Sequence, residues 1–214
     1  MGSSRDSSVV IIPSRDLCIT WAEESKYWNW INYLDDRRDD QHQRVIEVPR
    51  LIQVWYLKIE GEISMSRLKP GTIYEVVFIL MLEDLAEGWE EPVTVKLEEP
   101  AVRSFASRTV LLGDVLRRPA NGGCWTELKV GEFAAKTGGA IVFSVFETES
   151  NKRKTGLLVK GAVLRPIAGE SRPPPLMKFL LFLGRCLGFK FLEVLNEDIA
   201  RFLLYMASFF MRNR

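Results

Sequence analysis

Residues 72–82 are the longest run of β-branched and aromatic side chains in the sequence. In an extended chain Tyr74, Val76, Phe78 and Leu80 fall on one face, and Ile73, Val77 and Ile79 on the other. A strand that is apolar on both faces needs cover on both, so this segment reads as a central strand inside a layered sheet structure. It is entered through Lys69-Pro70-Gly71, where Pro fixes one φ and Gly supplies the positive φ that follows. The flanking segments repeat the theme with one dry face each. Trp55, Leu57 and Ile59 point one way, while Gln53, Tyr56, Lys58 and Glu60 point the other. Val93, Val95 and Leu97 alternate in the same manner with Thr94, Lys96 and Glu98. Such period-two patterns predict half-buried strands.

Further strands are predicted over residues 17–21, 28–33 and 124–130. Residues 141–147 and 157–164 read as a hairpin-like pair around a polar connection, with Asn151-Lys152-Arg153-Lys154 as its solvated tip. Gly61 reads as a strand end and residues 131–135 as a short helical turn, while residues 105–116 fit either type of element. Short strands, Gly/Pro turns and no βαβ rhythm together give an all-β sandwich or barrel.

Charge and cysteine content narrow the function classes. The 29 basic and 28 acidic residues leave a net charge of +1, which gives no global attraction to nucleic acid. Cys18, Cys124 and Cys186 are scattered without metal-ligand spacing, and residues 1–8 are small and polar with no apolar signal core. A reducing, cytoplasmic setting without a disulfide framework is the expectation, with the nucleus also open to the chain. His42 is the single histidine, inside a charged run that reads as a solvated loop, so neither a metal site nor a cofactor is expected.

The expected organisation is a disordered tail over residues 1–8, a sandwich domain over 9–168, a Pro-rich linker over 169–175 and a separate hydrophobic tail over 176–214. In that last segment Leu192, Leu195, Ile199, Phe202, Leu203, Met206 and Phe210 lie around one side of a helix, opposite Glu193, Glu197 and Arg201. Charges interrupt it often enough to disfavour a spanning helix. Its net charge is +3 against −2 for the rest of the chain. A basic amphipathic helical tail of this kind suits either a membrane surface or a protein partner.

The stretch Arg15-Asp16-Leu17-Cys18-Ile19-Thr20-Trp21-Ala22-Glu23-Glu24-Ser25-Lys26-Tyr27-Trp28-Asn29-Trp30 concentrates four aromatic rings among short polar groups. Flat rings beside carboxylates and hydroxyls suit a sugar, whose C–H face meets the ring while its hydroxyls meet the polar groups. Taken singly, each indole is more often a core side chain. Interleaving with Glu23, Glu24, Ser25 and Lys26 argues that at least one ring reaches the surface.

This stretch resembles the opening of the phloem protein 2 / Nictaba-like plant lectins, with their Arg-Asp-Leu-x-Ile-Thr-Trp and Tyr-Trp-x-Trp elements. Matches continue in order at Val54-Trp55-Tyr56-Leu57-Lys58-Ile59-Glu60-Gly61, Leu68-Lys69-Pro70-Gly71-Thr72-Ile73-Tyr74-Glu75-Val76, Gly88-Trp89, Trp125-Thr126-Glu127-Leu128-Lys129-Val130-Gly131-Glu132-Phe133 and Gly156-Leu157-Leu158-Val159-Lys160-Gly161. The resemblance spans residues 12–167 and implies a jelly-roll-like β-sandwich. It also implies a non-catalytic lectin for N-acetylglucosamine oligomers or N-glycan cores.

In those lectins the tryptophans of the Thr-Trp and Tyr-Trp elements and two glutamates near the penultimate strand are implicated in glycan binding. They fall here on Trp21, Trp28 and Glu147, with Ala140 at the second acid position, where a charge-assisted acceptor is lost. The basic run used for nuclear import in the best-known member is missing from residues 104–119. Glycans or glycoproteins are the implied partners, and a homodimer would raise the avidity of a shallow site. The competing reading is a non-sugar structural or interaction protein that docks through the sandwich or the apolar tail. A glycosidase would need two carboxylates at a set separation, and no spacing singles out a pair among Glu23, Glu24, Glu132 and Glu147.

Overall fold

The computed structural model describes residues 9–35, 44–116 and 124–167. The expectations for residues 1–8, for the charged loop with His42, for the linker and for the hydrophobic tail lie outside them. The strands are β1 (Val10–Pro13), β2 (Cys18–Ile19), β3 (Trp28–Asp35), β4 (Arg44–Leu51), β5 (Leu57–Ser64), β6 (Ile73–Leu82), β7 (Val93–Glu99), β8 (Ser104–Val110), β9 (Thr126–Ala134), β10 (Ala140–Glu147) and β11 (Leu157–Pro166). One short helix, α1 (Leu112–Leu116), follows β8.

Among the described residues the strands form two antiparallel sheets. The larger has the order β3-β4-β11-β6-β9, with β1 also on β11, and the smaller β2-β5-β10-β7-β8. The doubly apolar segment is β6, held between β11 and β9 as its composition demands. Its Tyr74, Val76, Phe78 and Leu80 point into the sandwich, where they meet the inward residues of β5, β7 and β10. The Phe78 and Phe143 rings, 5.4 Å apart between centroids, join the two sheets across that core. This is the all-β, jelly-roll-like sandwich expected of the sequence.

Trp55, expected on the dry face with Leu57 and Ile59, precedes β5 and is 49% exposed. Three further local expectations are corrected. Gly61 does not end its strand, because β5 runs on to Ser64. A Cβ at Gly61 would lie 2.3 Å from the tip of the Phe143 ring, so the glycine makes room for a core aromatic rather than a turn. Residues 131–134 belong to β9, not to a helical turn. The register slips at Val76/Val77 opposite Gly131, and pairing then resumes through Glu132↔Glu75 and Phe133↔Tyr74. That slip is a β-bulge, which disturbs alternation without ending the strand.

The third correction concerns residues 141–147 and 157–164. They are not a hairpin, since β10 lies in the smaller sheet and β11 in the larger. The connection between them crosses from sheet to sheet, and Lys154 forms an antiparallel bridge with Val54 on its way. Asn151, Lys152 and Arg153 are exposed, as expected of a solvated run, but Lys154 is 0% exposed and turns inward.

Candidate functional site

The connection from β2 to β3 is a series of turns in which backbone bonds run Ala22 N–H to Ile19 O, Glu24 N–H to Trp21 O and Trp28 N–H to Glu24 O. Trp21 sits at its apex with φ +61°. A bulky non-glycine residue held in the left-handed region costs of order 1–3 kcal/mol, and the surrounding structure must enforce it. Two indoles do so. Trp28 donates its Nε1–H to Thr20 O at 3.1 Å, and Trp30 donates its own to Ala22 O at 3.1 Å. The carbonyls on both sides of Trp21 are thereby pinned. Trp30 is pinned in turn by Arg15, whose guanidinium lies 3.4 Å from the ring centroid while bonding Glu47.

Held this way, the Trp21 ring is 41% exposed. It stacks at 4.8 Å on Tyr27 and lies 5.8 Å from Tyr56, both as tilted pairs. The result is a cluster of three rings at one end of the smaller sheet. Trp28 is 2% exposed and belongs to the core. The alternation of β3 forces the difference: the ring that follows Tyr27 turns inward, and the connection carries Trp21 outward.

Glu147 ends β10 and points inward. Its Oε1 accepts from the backbone N–H groups of Glu149 at 2.8 Å and Ser150 at 2.6 Å, and its Oε2 accepts from Lys154 Nζ at 2.5 Å. Burial pushes this carboxyl up, but the Lys154 ammonium and the two backbone donors outweigh it and hold the pKa below the ordinary carboxylate value. Lys154 in turn exchanges both backbone bonds with Val54, two residues before Tyr56. The acid therefore anchors the segment that carries one of the three rings.

The structure thus brings Trp21 together with Tyr27 and Tyr56, and Glu147 together with Lys154. Trp21 and Glu147 share one end of the smaller sheet, since Thr20 N–H bonds Lys58 O while the adjacent Leu57 pairs with Glu147. The ring faces out and the acid faces in. Ala140 lies at the other end of β10, about 23 Å away at strand rise, and on the opposite face. The two acid positions therefore do not converge on one sugar. The sequence reading includes Tyr27 and Trp30 in the aromatic stretch without naming them as site residues, and gives Tyr56 no site role. The signal for Tyr56 lay in its alternation with Leu57, which set it on the outward face beside Lys58 and Glu60. Among the described residues no group of three or more His, Cys, Asp or Glu side chains gathers.

Comparison with known proteins follows the same segments. A sequence model of the family described as Phloem protein 2 matches residues 7–166. A protein named Lectin from Luffa acutangula is 38% identical over 164 residues, covering 75% of this chain and 72% of that protein. Protein PHLOEM PROTEIN 2-LIKE A1 from Arabidopsis thaliana is 33% identical over 165 residues, covering 76% of this chain and 63% of that protein. Among solved structures, a Podospora anserina GH26-CBM35 β-(1,4)-mannanase aligns at 14% identity with a TM-score of 0.43, over 78% of this chain and 29% of that one.

Proposed function

The chain belongs to the phloem protein 2 family, and from that premise we propose that it is a carbohydrate-binding protein that performs no catalysis. Trp21 is the stacking surface, Tyr27 and Tyr56 back it, and the ligand is an N-acetylglucosamine oligomer or an N-glycan core. The observation that carries this reading is the outward Trp21 ring at φ +61°, locked by two further indoles on its flanking carbonyls. A turn residue with positive φ is cheapest as glycine. A large ring kept there at a cost in stability points to a job at the surface.

Trp28 and Glu147 are positioning residues in this reading. Trp28 holds the backbone at Thr20, and Glu147 holds Lys154 and through it the Tyr56 segment. Neither presents an open group to a hydroxyl: the Trp28 N–H is bonded to Thr20 O, and the Glu147 carboxylate is buried against Lys154 and two backbone N–H groups. Sugar hydroxyls instead meet the exposed polar groups around the cluster, of which Glu23, Glu24 and Lys26 are the nearest in sequence. The resemblance of the Luffa acutangula relative, named Lectin, supports the same assignment.

The test is a glycan array probed with the full chain and with Trp21→Gly. The glycine removes the ring and relaxes the backbone, so its stability should stay within about 1 kcal/mol of wild type. Wild type should bind N-acetylglucosamine-containing glycans and the variant should not. Equal binding by both, or by neither, defeats the assignment.

A further inference from the structure

The outer face of the smaller sheet holds a cleft of about 320 Å³ that begins at Tyr56, one of the three clustered rings. Strand alternation decides its lining. Leu57, Ile59, Val95, Leu97, Phe143 and Val145 turn into the core, so their neighbours turn out. Register then arranges the outward side chains in rungs. Lys58 lies beside Phe146; Glu60, Ser144 and Lys96 form the next row; Val142 lies between Glu62 and Glu98.

The floor along β10 is therefore a ring, a hydroxyl and a branched aliphatic group. Each wall is an ion pair, Lys58–Glu60 at 3.0 Å and Lys96–Glu98 at 2.6 Å. Beyond the second wall β8 supplies Phe105, paired in register with Glu98 and 65% exposed. Lys96 Nζ lies 5.2 Å from the centroid of that ring.

This lining selects a ligand class. Each ion pair carries one donor and one acceptor and sums to zero charge, and Glu62, opposite Val142, adds one further acceptor, so a polyanion gains no net attraction. A sugar hydroxyl, which both donates and accepts, finds both partners within one ion pair. The apolar floor suits the C–H face of the same ring. From the Tyr56 level to the Phe105 level is about 20 Å along the strands, which is longer than one sugar residue needs.

We infer that the cleft extends the aromatic cluster into a groove for a chain of several neutral sugar residues, entered at Trp21 and Tyr56 and left at Phe105. This rests on the carbohydrate-binding reading given above. It adds that recognition depends on oligomer length and that β5, β10, β7 and β8 contribute side chains to it.

The experiment is calorimetric titration of the full chain with chito- and cello-oligosaccharides of one to six residues. Wild type is compared with Phe105→Ala, Phe146→Ala and Trp21→Gly. Phe105 is exposed, so its truncation leaves the fold intact and keeps the test valid even if Phe146→Ala unfolds. Affinity should climb with length beyond the disaccharide in wild type. The two alanine variants should lose about threefold to tenfold on the longest oligomers, the worth of one aromatic contact, and Phe105→Ala, at the far end of the groove, should lose nothing on the disaccharide. Trp21→Gly should weaken every length.

A wild-type affinity that stops rising at the disaccharide, or alanine variants that keep the full climb, would overturn the groove and leave the cluster standing. Loss in the alanine variants with Trp21→Gly unaffected would overturn the cluster and support the cleft. Failure of wild type to bind any oligomer would overturn both.

Discussion

Trp21, Trp28 and Glu147 look alike in sequence as site residues, and the backbone gives them different work. Trp21 is presented, Trp28 is a clamp, and Glu147 is an anchor. The anchor has a measurable signature, because Lys154 is fully buried and its ammonium depends on that carboxylate. Glu147→Gln leaves a buried cation without its counter-charge and should cost about 3–5 kcal/mol. Adding Lys154→Met should recover most of that loss in chemical denaturation. A fully exposed, sugar-contacting glutamate would show neither effect.

The pH dependence follows from the same group. The folded pKa of Glu147 lies below its ordinary value of 4.5, and Glu75 is lowered too, chiefly by Lys129, then by Arg165 against the opposing effect of burial. A lowered folded pKa stabilises above the unfolded value, and that contribution disappears as pH falls through the folded one. Unfolding free energy should be insensitive to these groups near neutrality and decline below about pH 4.5. Glu147→Gln should make the decline shallower, as equilibrium denaturation at a series of pH values will show. Sequence could name these residues through family resemblance. It could not show which were buried, because burial of Trp28 and Lys154 is decided by strand register and by a bridge between segments 100 residues apart.

The strands themselves were largely legible, and the failures have a common cause. Alternation located β5, β6 and β7, since each buries a face and a one-residue slip would expose it. Glycine misled twice. Gly61 and Gly131 read locally as breaks, yet the first admits the Phe143 ring and the second flanks a bulge in its own strand. Both roles depend on a neighbouring strand that local sequence does not contain. The Gly61 role predicts that Gly61→Ala, with no backbone penalty, still destabilises by about 1–3 kcal/mol through overpacking. Thermal unfolding of that variant beside Gly61→Ala/Phe143→Leu, where the ring is removed, should show partial recovery in the double variant. Equal losses in both would place the clash elsewhere. The β10–β11 pairing expected from sequence fails for the same reason: strands adjacent in sequence suggest partners, and the sandwich splits them between sheets.

For the molecule as a whole, the two sheets act as a rigid mount that puts one aromatic turn and one charged-walled cleft on the same side. The mount explains why a signature of rings spread over residues 21–30 yields a single presented indole, with its fellows as supports. Six tryptophans give six indole N–H signals in a nitrogen–proton correlation spectrum, each a separate reporter. Trp28 and Trp89 are buried with their N–H groups bonded to Thr20 O and Thr155 O, and Trp30 is bonded to Ala22 O. Titrating a chitooligosaccharide into the labelled chain should move the Trp21 signal most, with Trp28 and Trp89 still. If the largest shift instead falls on Trp28 or Trp89, or the Trp21 signal stays fixed while glycan binds, the presented-indole account is contradicted.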